Sequence, residues 1–512
     1  MKTISEALDT LFAPATSNPE WADRKAMTGG DQRTLTFADL ERTIKTFAQA
    51  MANIGVGKND KVIISSPNTP EYIATLLAVW KVGATAIPID FRLTTEELIN
   101  VVNRVAPRAF VGFSQNCQAI AQAKDKLTIS TLEILDFSQL AKKGLEDQAK
   151  PVVASPETAF FVILTSGTTG IPKGAMHDLK TFVSNLVELG HLASITSQMN
   201  VLQPLPLSHI FGLTVCMAAL LQGASVKLTF TPEDFLKALM ADKFDIVTGV
   251  PALYSAILSL PEGAVDFSHS KILLSGGAAL PTSLSDEFRK RFKKRLNNGY
   301  GSTEIKVIAL NLEGPDLSVG RTVPSCQIKI MDADHRLQPE GEIGEICIEG
   351  NMLMKGYFNQ PKETEAVLHQ GHYHTGDLGY VKDGYLFISG RDKELINVAG
   401  NKVFPSEVED VLRQHENVKE VAVLGVPHYR LGQLVKAVIV IKDANISNML
   451  EQGEQEQREA RQQLLNSFKE FCKERLKKEL RPLEWEFRPV KEALPKTMTG
   501  KVDKKKLQAV PV

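Results

Sequence analysis

Residues 165–174 read Thr165-Ser166-Gly167-Thr168-Thr169-Gly170-Ile171-Pro172-Lys173-Gly174. Four hydroxyls, three glycines and one lysine in ten residues make a set suited to phosphate oxygens. Glycine lets the backbone approach a ligand closely, N–H and hydroxyl groups donate to anionic oxygens, and lysine adds a compact positive charge. The apolar run at 161–164 puts this segment at the end of a strand. The spacing is not that of a Walker A loop, because no Gly-Lys-Ser/Thr triplet closes it, and no Gly-x-Gly-x-x-Gly follows a strand elsewhere, which disfavours a P-loop hydrolase or a nicotinamide enzyme. A Gly/Thr-rich turn alone is an ordinary loop. The hydroxyl density, the lysine and the preceding strand together point to a phosphate site.

Further strings carry complementary chemistry. Asn297-Asn298-Gly299-Tyr300-Gly301-Ser302-Thr303-Glu304 combines a flat ring, a platform for a base, with a carboxylate, the hard oxygen ligand that Mg²⁺ prefers beside phosphates. Ser275-Gly276-Gly277-Ala278-Ala279 ends a strand with residues small enough for close backbone approach. His374-Thr375-Gly376-Asp377-Leu378-Gly379 offers a carboxylate that can accept two vicinal hydroxyl protons, although such a turn is common and informative only in company. Near the end stands Leu494-Pro495-Lys496-Thr497-Met498-Thr499-Gly500-Lys501. On charge alone Lys501 is one solvated lysine among several; its Pro-Lys-Thr-x-Thr-Gly-Lys context sets it apart.

In this order, from Thr165 to Lys501, the strings resemble the signature motifs of the adenylate-forming superfamily. Its members include acyl-CoA synthetases, peptide-synthetase adenylation domains and beetle-type luciferases. The likeness is greatest to an acyl-CoA ligase of the fatty-acid or aryl-acid type, and it covers essentially the whole chain. It implies that Thr165, Ser166, Gly167, Thr168, Thr169, Gly170 and Lys173 hold the β/γ-phosphates of ATP. Tyr300 would stack on adenine beside Gly276, Gly277, Ala278, Asn298, Gly299 and Gly301. Thr303 would bind the α-phosphate, Glu304 would hold Mg²⁺, and Asp377 with Arg391 would grip the ribose. Lys501 matches the catalytic lysine, which stabilises negative charge as a carboxylate attacks the α-phosphate.

The string Pro204-Leu205-Pro206-Leu207-Ser208-His209-Ile210-Phe211-Gly212-Leu213 is similar to the family's substrate-and-gate motif. It implies that His209 sits by the substrate carboxylate, against the plainer role of a core histidine satisfied by backbone groups. Phe211, Val250, Tyr254, Gly277, Gly299 and Val307 would line the acyl pocket. These are apolar or small, and the acidic residue with which amino-acid-activating relatives bind an amine has no obvious counterpart, so an apolar acid is expected. The run from Gly390 to Gly400 resembles the family's hinge and following loop, with Lys393 as the pivot and Gly400 lining a pantetheine tunnel. Such a hinge absorbs large φ/ψ changes.

The activity implied is ATP-dependent formation of acyl-AMP, then transfer of the acyl group to the thiol of CoA. A carrier-protein phosphopantetheine is the alternative acceptor. A luciferase-like oxidoreductase and a non-catalytic binding protein are the remaining alternatives; intact Lys173, Glu304, Asp377 and Lys501 oppose the last. One departure from the family pattern is Leu480-Arg481-Pro482-Leu483-Glu484-Trp485, where relatives often carry a Tyr-Lys-x-Pro-like turn.

The elements that must position these residues follow from periodicity. Thr36 with Asp39 three residues later reads as a helix N-cap, and the amphipathic stretch runs to about Asn53. Short apolar runs at 61–65, 84–89, 160–164, 226–229, 246–250 and 272–275 alternate with helical stretches, one opened by Pro70 and closed by Gly83. That alternation predicts an α/β fold with parallel sheets. From about Val319 short strands such as 327–330 and 344–348 indicate a small β-rich subdomain. After a hairpin at 384–389 comes an α+β segment: a helix from Pro405, strands at 421–424 and 437–441, then a long polar helix within 451–478. The expected domains are 1–391 and a mobile 392–512.

Length and composition agree. The 512 residues exceed one hydrophobic core. A net charge of -1 argues against a broad nucleic-acid footprint. Five scattered cysteines without a Cys-x-x-Cys pair fit buried thiols in a reducing compartment. The N-terminus lacks the layout of a signal peptide, and no apolar run approaches the ~20 residues of a membrane span. A cytoplasmic protein is expected.

Overall fold

The computed structural model describes residues 2–146, 158, 160–165, 173–496 and 502–508, with Thr165 described by its backbone alone. Capping chemistry sets the first long helix. The Thr36 hydroxyl accepts from Asp39 N–H, and the Asp39 carboxylate accepts from Thr36 N–H, each at 3.1 Å. Helix Phe37–Asn53 follows with its apolar face buried. Strands Lys61–Ser65 and Thr85–Ile89 run parallel, joined through helix Pro70–Lys81, which has proline at its first turn.

Two large sheets dominate the described residues. The seven-stranded sheet contains Lys61–Ser65, Thr85–Ile89 and Phe160–Thr165. The nine-stranded sheet contains Asn200–Gln203, Ile246–Gly249, Ile272–Ser275 and the hairpin Asn297–Ser302 with Lys306–Asn311. One apolar core joins residues of both sheets to helices Phe37–Asn53, Pro70–Lys81, Leu179–Leu192 and Ile210–Leu221. Helix Ile210–Leu221 is apolar on every side, as a helix enclosed by protein must be. All its residues are buried except Phe211. This is the α/β architecture expected from the alternation of strands and helices.

A five-stranded antiparallel sheet built from Cys326–Met331, Gly344–Gly350, Leu368–His369, His372–Lys382 and Tyr385–Arg391 forms the β-rich subdomain. The segment His374–Gly379, read as a turn from its glycines, lies inside an 11-residue strand. That strand pairs with a neighbour on each side, and register shifts at Leu378/Gly379 and Glu345/Cys347 accommodate the glycines. A second five-stranded sheet begins at Ile396–Val398 and includes Val418–His428, Gly432–Ile441 and Glu484–Arg488. Both of its long strands extend well beyond the apolar cores seen in the sequence. Helix Glu454–Arg475 covers this sheet through Ala460, Leu464, Phe468 and Cys472, spaced four apart on one face. At the unusual 480–485 segment the Arg481 guanidinium donates to Leu476 O at 2.9 Å and Lys473 O at 3.0 Å, tying the chain to the carbonyls at that helix's end. Among the described residues no helix is long and apolar enough to cross a membrane.

Lys306 opens the second strand of the 297–311 hairpin with φ +62°, fully buried, its ammonium donating to Met352 O at 2.7 Å. Burial lowers its pKa to about 7, with Asp178 opposing the shift. Between that value and the ordinary 10.5 the unfolded chain holds a proton that the folded chain does not. Stability contributed at this site therefore rises with pH across that window and is lowest below it. Lys306→Met is expected to flatten the rise in the melting midpoint between about pH 7 and 9. Parallel pH profiles for the two proteins in a thermal melt would contradict this origin.

Candidate active site

Antiparallel pairing of Phe160–Thr165 with Lys173–Asp178 sets Thr165 opposite Lys173, so the two ends of the phosphate loop are neighbours on the ladder. Ser166, Gly167, Thr168, Thr169 and Gly170 lie outside the described residues. The Lys173 ammonium lies over the Tyr357 ring, 4.8 Å from its centroid. The Tyr357 hydroxyl donates to Glu304 Oε1 at 2.8 Å. Lysine, phenol and carboxylate thus meet where the sequence places phosphate and Mg²⁺.

The other end of the 297–304 string reaches the small subdomain. The Tyr300 hydroxyl donates to Asp377 Oδ2 at 2.7 Å, and Arg391 Nε contacts Asp377 Oδ1 at 3.0 Å. Burial and the Asp377 charge push the Tyr300 phenol well above its ordinary pKa, so it remains a donor. Asp377 itself is fixed from behind. Its N–H donates to Thr375 Oγ1 at 3.0 Å, Thr375 Oγ1 donates to Ile346 O at 2.7 Å, and Gly376 N–H donates to Glu345 Oε1 at 3.0 Å. Between the two clusters, Thr303 O accepts from His177 Nε2 at 2.7 Å, which holds the hairpin bend that carries Thr303 and Glu304.

On the acyl side, Phe211 faces the Ser275-Gly276-Gly277-Ala278 turn. A Cβ on Gly276 would lie 2.9 Å from the Phe211 ring, and one on Gly277, at φ +76°, would lie 3.7 Å from Val250. These glycines leave the space that ring and valine border. Asn298 pairs in register with Ser275, which brings the Tyr300 string beside that turn. A Cβ on Gly301 would meet Lys306 O at 2.1 Å, so the bend requires glycine. Behind Gly299 lies a cavity whose wall is apolar and includes Leu274, Leu310, Val215, Ile195 and Val307. Tyr254 is placed differently from the expected pocket lining. It is fully buried, its hydroxyl donates to Val247 O and Leu274 O, and its ring packs edge-on against Phe288 in a separate core cluster. Those bonds turn it into the far face of the sheet.

His209 precedes helix Ile210–Leu221, and its Nε2 lies 3.9 Å from Asp90 Oδ2. Burial alone would raise the Asp90 pKa, but hydrogen bonds from the Arg92 side chain and N–H, with the charges of Arg92 and His209, hold it below the ordinary value. Asp90, Arg92, Tyr357 and Glu345 were not singled out in the sequence. Asp90 directly follows the C-terminal end of a parallel strand, where ligands of α/β sheets gather, and that position was the available signal.

Of the C-terminal candidates, Lys501 lies outside the described residues. Lys393 is exposed in the single turn Asp392–Glu394, directly after Arg391. Gly400 has φ +89° after Ala399 at φ +50°, and its N–H donates to Asn397 Oδ1 at 2.9 Å. Nothing lies within 4 Å of where its Cβ would be, so it holds an open turn. Lys504 joins Glu394 of the Asp392–Glu394 turn at 3.1 Å to Glu409 at 2.9 Å.

Removing the Asp377 carboxylate frees both Tyr300 and Arg391 and takes away the acceptor for vicinal hydroxyls. A hydrogen bond to a charged group contributes about 1.5–3 kcal/mol, which corresponds to roughly 10–100-fold. Asp377→Ala is expected to raise the KM for ATP by that factor in steady-state assays; an unchanged KM would remove Asp377 from the nucleotide site.

Residues 15–358 match the AMP-binding enzyme model, and residues 407–501 match the AMP-binding enzyme C-terminal domain. A long-chain-fatty-acid–CoA ligase of Escherichia coli O6:H1 is 28% identical, over 95% of this chain and 92% of that enzyme. A feruloyl-CoA synthase of Amycolatopsis sp. is 31% identical, over 80% of this chain and 84% of its own. Among solved structures, o-succinylbenzoate CoA synthetase from Bacillus subtilis, in complex with its acyl-adenylate intermediate, superposes with a TM-score of 0.80 at 25% identity, covering 99% of this chain and 98% of that one. The chain belongs to the AMP-binding enzyme family.

Proposed function

We propose that the protein is an ATP-dependent carboxylic acid:CoA ligase acting on an apolar, fatty or aryl, acid. In the first half-reaction a carboxylate oxygen of the acid attacks the α-phosphorus of ATP, and pyrophosphate leaves. In the second, the CoA sulfur attacks the acyl carbon, and AMP leaves with the carboxylate oxygen it gained. The observation that carries the reading is that one hairpin joins two different sites. Tyr300 reaches the Asp377–Arg391 pair, suited to ribose, while Glu304 four residues on reaches Tyr357 and, through its ring, Lys173, suited to phosphates. A nucleotide laid between them exposes its α-phosphate near Thr303.

Mg²⁺ fits this donor set, because the Glu304 carboxylate is a hard oxygen ligand bonded to Tyr357, whose ring lies under Lys173; when bound it would neutralise charge on the phosphates. The names of the similar enzymes favour CoA as the acceptor. The apolar Phe211 and Val250 beside the Gly276–Gly277 turn, and the apolar wall of the small cavity behind Gly299, Val307 included, support an apolar acyl group. Within this reading 392–512 moves as a unit about Lys393. One pose delivers Lys501 to the α-phosphate, and the other brings Gly400 to the pantetheine path. Five free, buried cysteines accord with a reducing, cytoplasmic setting.

The direct test is acid-dependent pyrophosphate release from ATP and Mg²⁺ across linear fatty acids and aryl acids, with and without CoA. Continuous turnover that needs both acid and CoA is expected. A single burst unmoved by CoA would replace CoA with a carrier-protein thiol as acceptor, and no response to any acid would overturn the reading. In the same assay Val307→Phe, which fills part of the cavity wall, is expected to lower kcat/KM for long linear acids at least tenfold more than for short ones. A uniform loss across chain lengths would detach this cavity from the acyl site.

A further inference from the structure

Outside the nucleotide site, the β-rich subdomain gathers an unusual set of side chains. Glu345 and Cys347 are two apart on strand Gly344–Gly350 and so share a face, and Cys347 is in register with His374 on the adjacent strand. His374 Nδ1 lies 2.8 Å from Glu345 Oε2 and 3.5 Å from Cys347 Sγ, and that sulfur lies 3.9 Å from the same carboxylate oxygen. Two more imidazoles close over the group. The His369 ring stacks on His374 with centroids 3.9 Å apart, and the His335 ring stands edge-on to His374 at 5.1 Å. Lys329, in the same cross-strand row, turns its ammonium to Glu349 at 2.8 Å and His372 at 2.9 Å. Of these side chains only Glu345 touches the site described above, through Oε1 to Gly376 N–H; its Oε2, Cys347 and His374 have no role in the proposed reaction.

We propose that Glu345, Cys347 and His374 bind one divalent transition-metal ion, of which zinc is the best match. A thiolate, an imidazole and a carboxylate form the mixed S/N/O set of tetrahedral zinc sites, whereas Mg²⁺ and Ca²⁺ take oxygen ligands. Ligand bonds of about 2.0–2.3 Å at tetrahedral angles put ligand atoms about 3.3–3.6 Å apart. The three separations here straddle that range. The short edge is the His374–Glu345 hydrogen bond, which the ion replaces. Binding releases the Cys347 thiol proton to solvent and takes His374 as its Nε2–H tautomer, the proton leaving Nδ1 being regained at Nε2, and the fourth position falls to water or to a neighbouring imidazole. Burial, with the Glu345 charge, pushes the thiol up to about 12, so the ion must supply the compensating charge for the thiolate. Entry is by way of the exposed His335 and half-buried His369, since Cys347 itself is enclosed. Glu345 keeps a second tie through Oε1 to Gly376 N–H, which orients the carboxylate as outer-shell bonds do in built metal sites.

The test uses the full chain, freed of metal by a chelator and titrated with Co²⁺, then Zn²⁺. One Co²⁺ per chain is expected, with a thiolate-to-cobalt charge-transfer band and the strong visible absorption of tetrahedral cobalt, both abolished by stoichiometric Zn²⁺. Cys347→Ser should lose the charge-transfer band and weaken Zn²⁺ binding at least tenfold by calorimetry. Cys117→Ser, whose sulfur lies 3.4 Å from the Leu135 carbonyl that a serine could also use, should retain both. The absence of a charge-transfer band in the unsubstituted protein would overturn the proposal, whatever the variant's stability. So would Co²⁺ bound through imidazole alone, or a band that survives Cys347→Ser.

Discussion

Asp377 is where the molecule's parts are joined. Its carboxylate takes Tyr300 from the nine-stranded sheet on one oxygen and Arg391, the last residue before the Asp392–Glu394 turn, on the other. Its backbone belongs to the five-stranded subdomain. A partly buried carboxylate holding two donors is costly to leave half-satisfied, so the three elements are constrained to meet at one point. A second seam, through Glu304, Tyr357 and Lys173, ties the same hairpin to the seven-stranded sheet. The proposed active site is the space these seams leave, which is why its residues come from distant parts of the chain.

Burial elsewhere makes those seams rigid. Helix Ile210–Leu221 offers only Phe211 outside the core, so that ring is aimed by the packing of the rest of its helix. The 297–311 hairpin is fastened beneath by His177 on Thr303 O and Lys306 on Met352 O. Both are polar groups in the interior. For His177, burial, with the nearby Lys306 charge, lowers the pKa well below its ordinary value and keeps the ring neutral. Such buried polar pegs fix one arrangement of a bend at the cost of desolvation.

The sequence was most legible where chemistry and local geometry coincide. The capping pair Thr36 and Asp39, the short parallel strands and the helix opened by Pro70 follow local rules, and the structure has them within a residue or so of where those rules put them. His374–Gly379 was harder to read. Two glycines signal a turn locally, but strand pairing on both flanks outweighs that preference. Tyr254 shows the opposite limit: an aromatic beside a pocket motif can point either way, and two carbonyl acceptors in the sheet settled its direction. Tyr357 acquires its meaning only through Glu304, far away in sequence, which no local pattern records.

In the proposed reaction the acid's own oxygen attacks the α-phosphorus beside Thr303. Carboxyl-¹⁸O-labelled substrate turned over with ATP and CoA, followed by mass spectrometry of the products, tests it directly. One ¹⁸O is expected in AMP and none in pyrophosphate or orthophosphate. Label in orthophosphate would mean attack at the γ-phosphorus and an acyl phosphate intermediate. Unlabelled AMP would mean that the carboxylate never reached the α-phosphorus. Either result would rule out the acyl-AMP route.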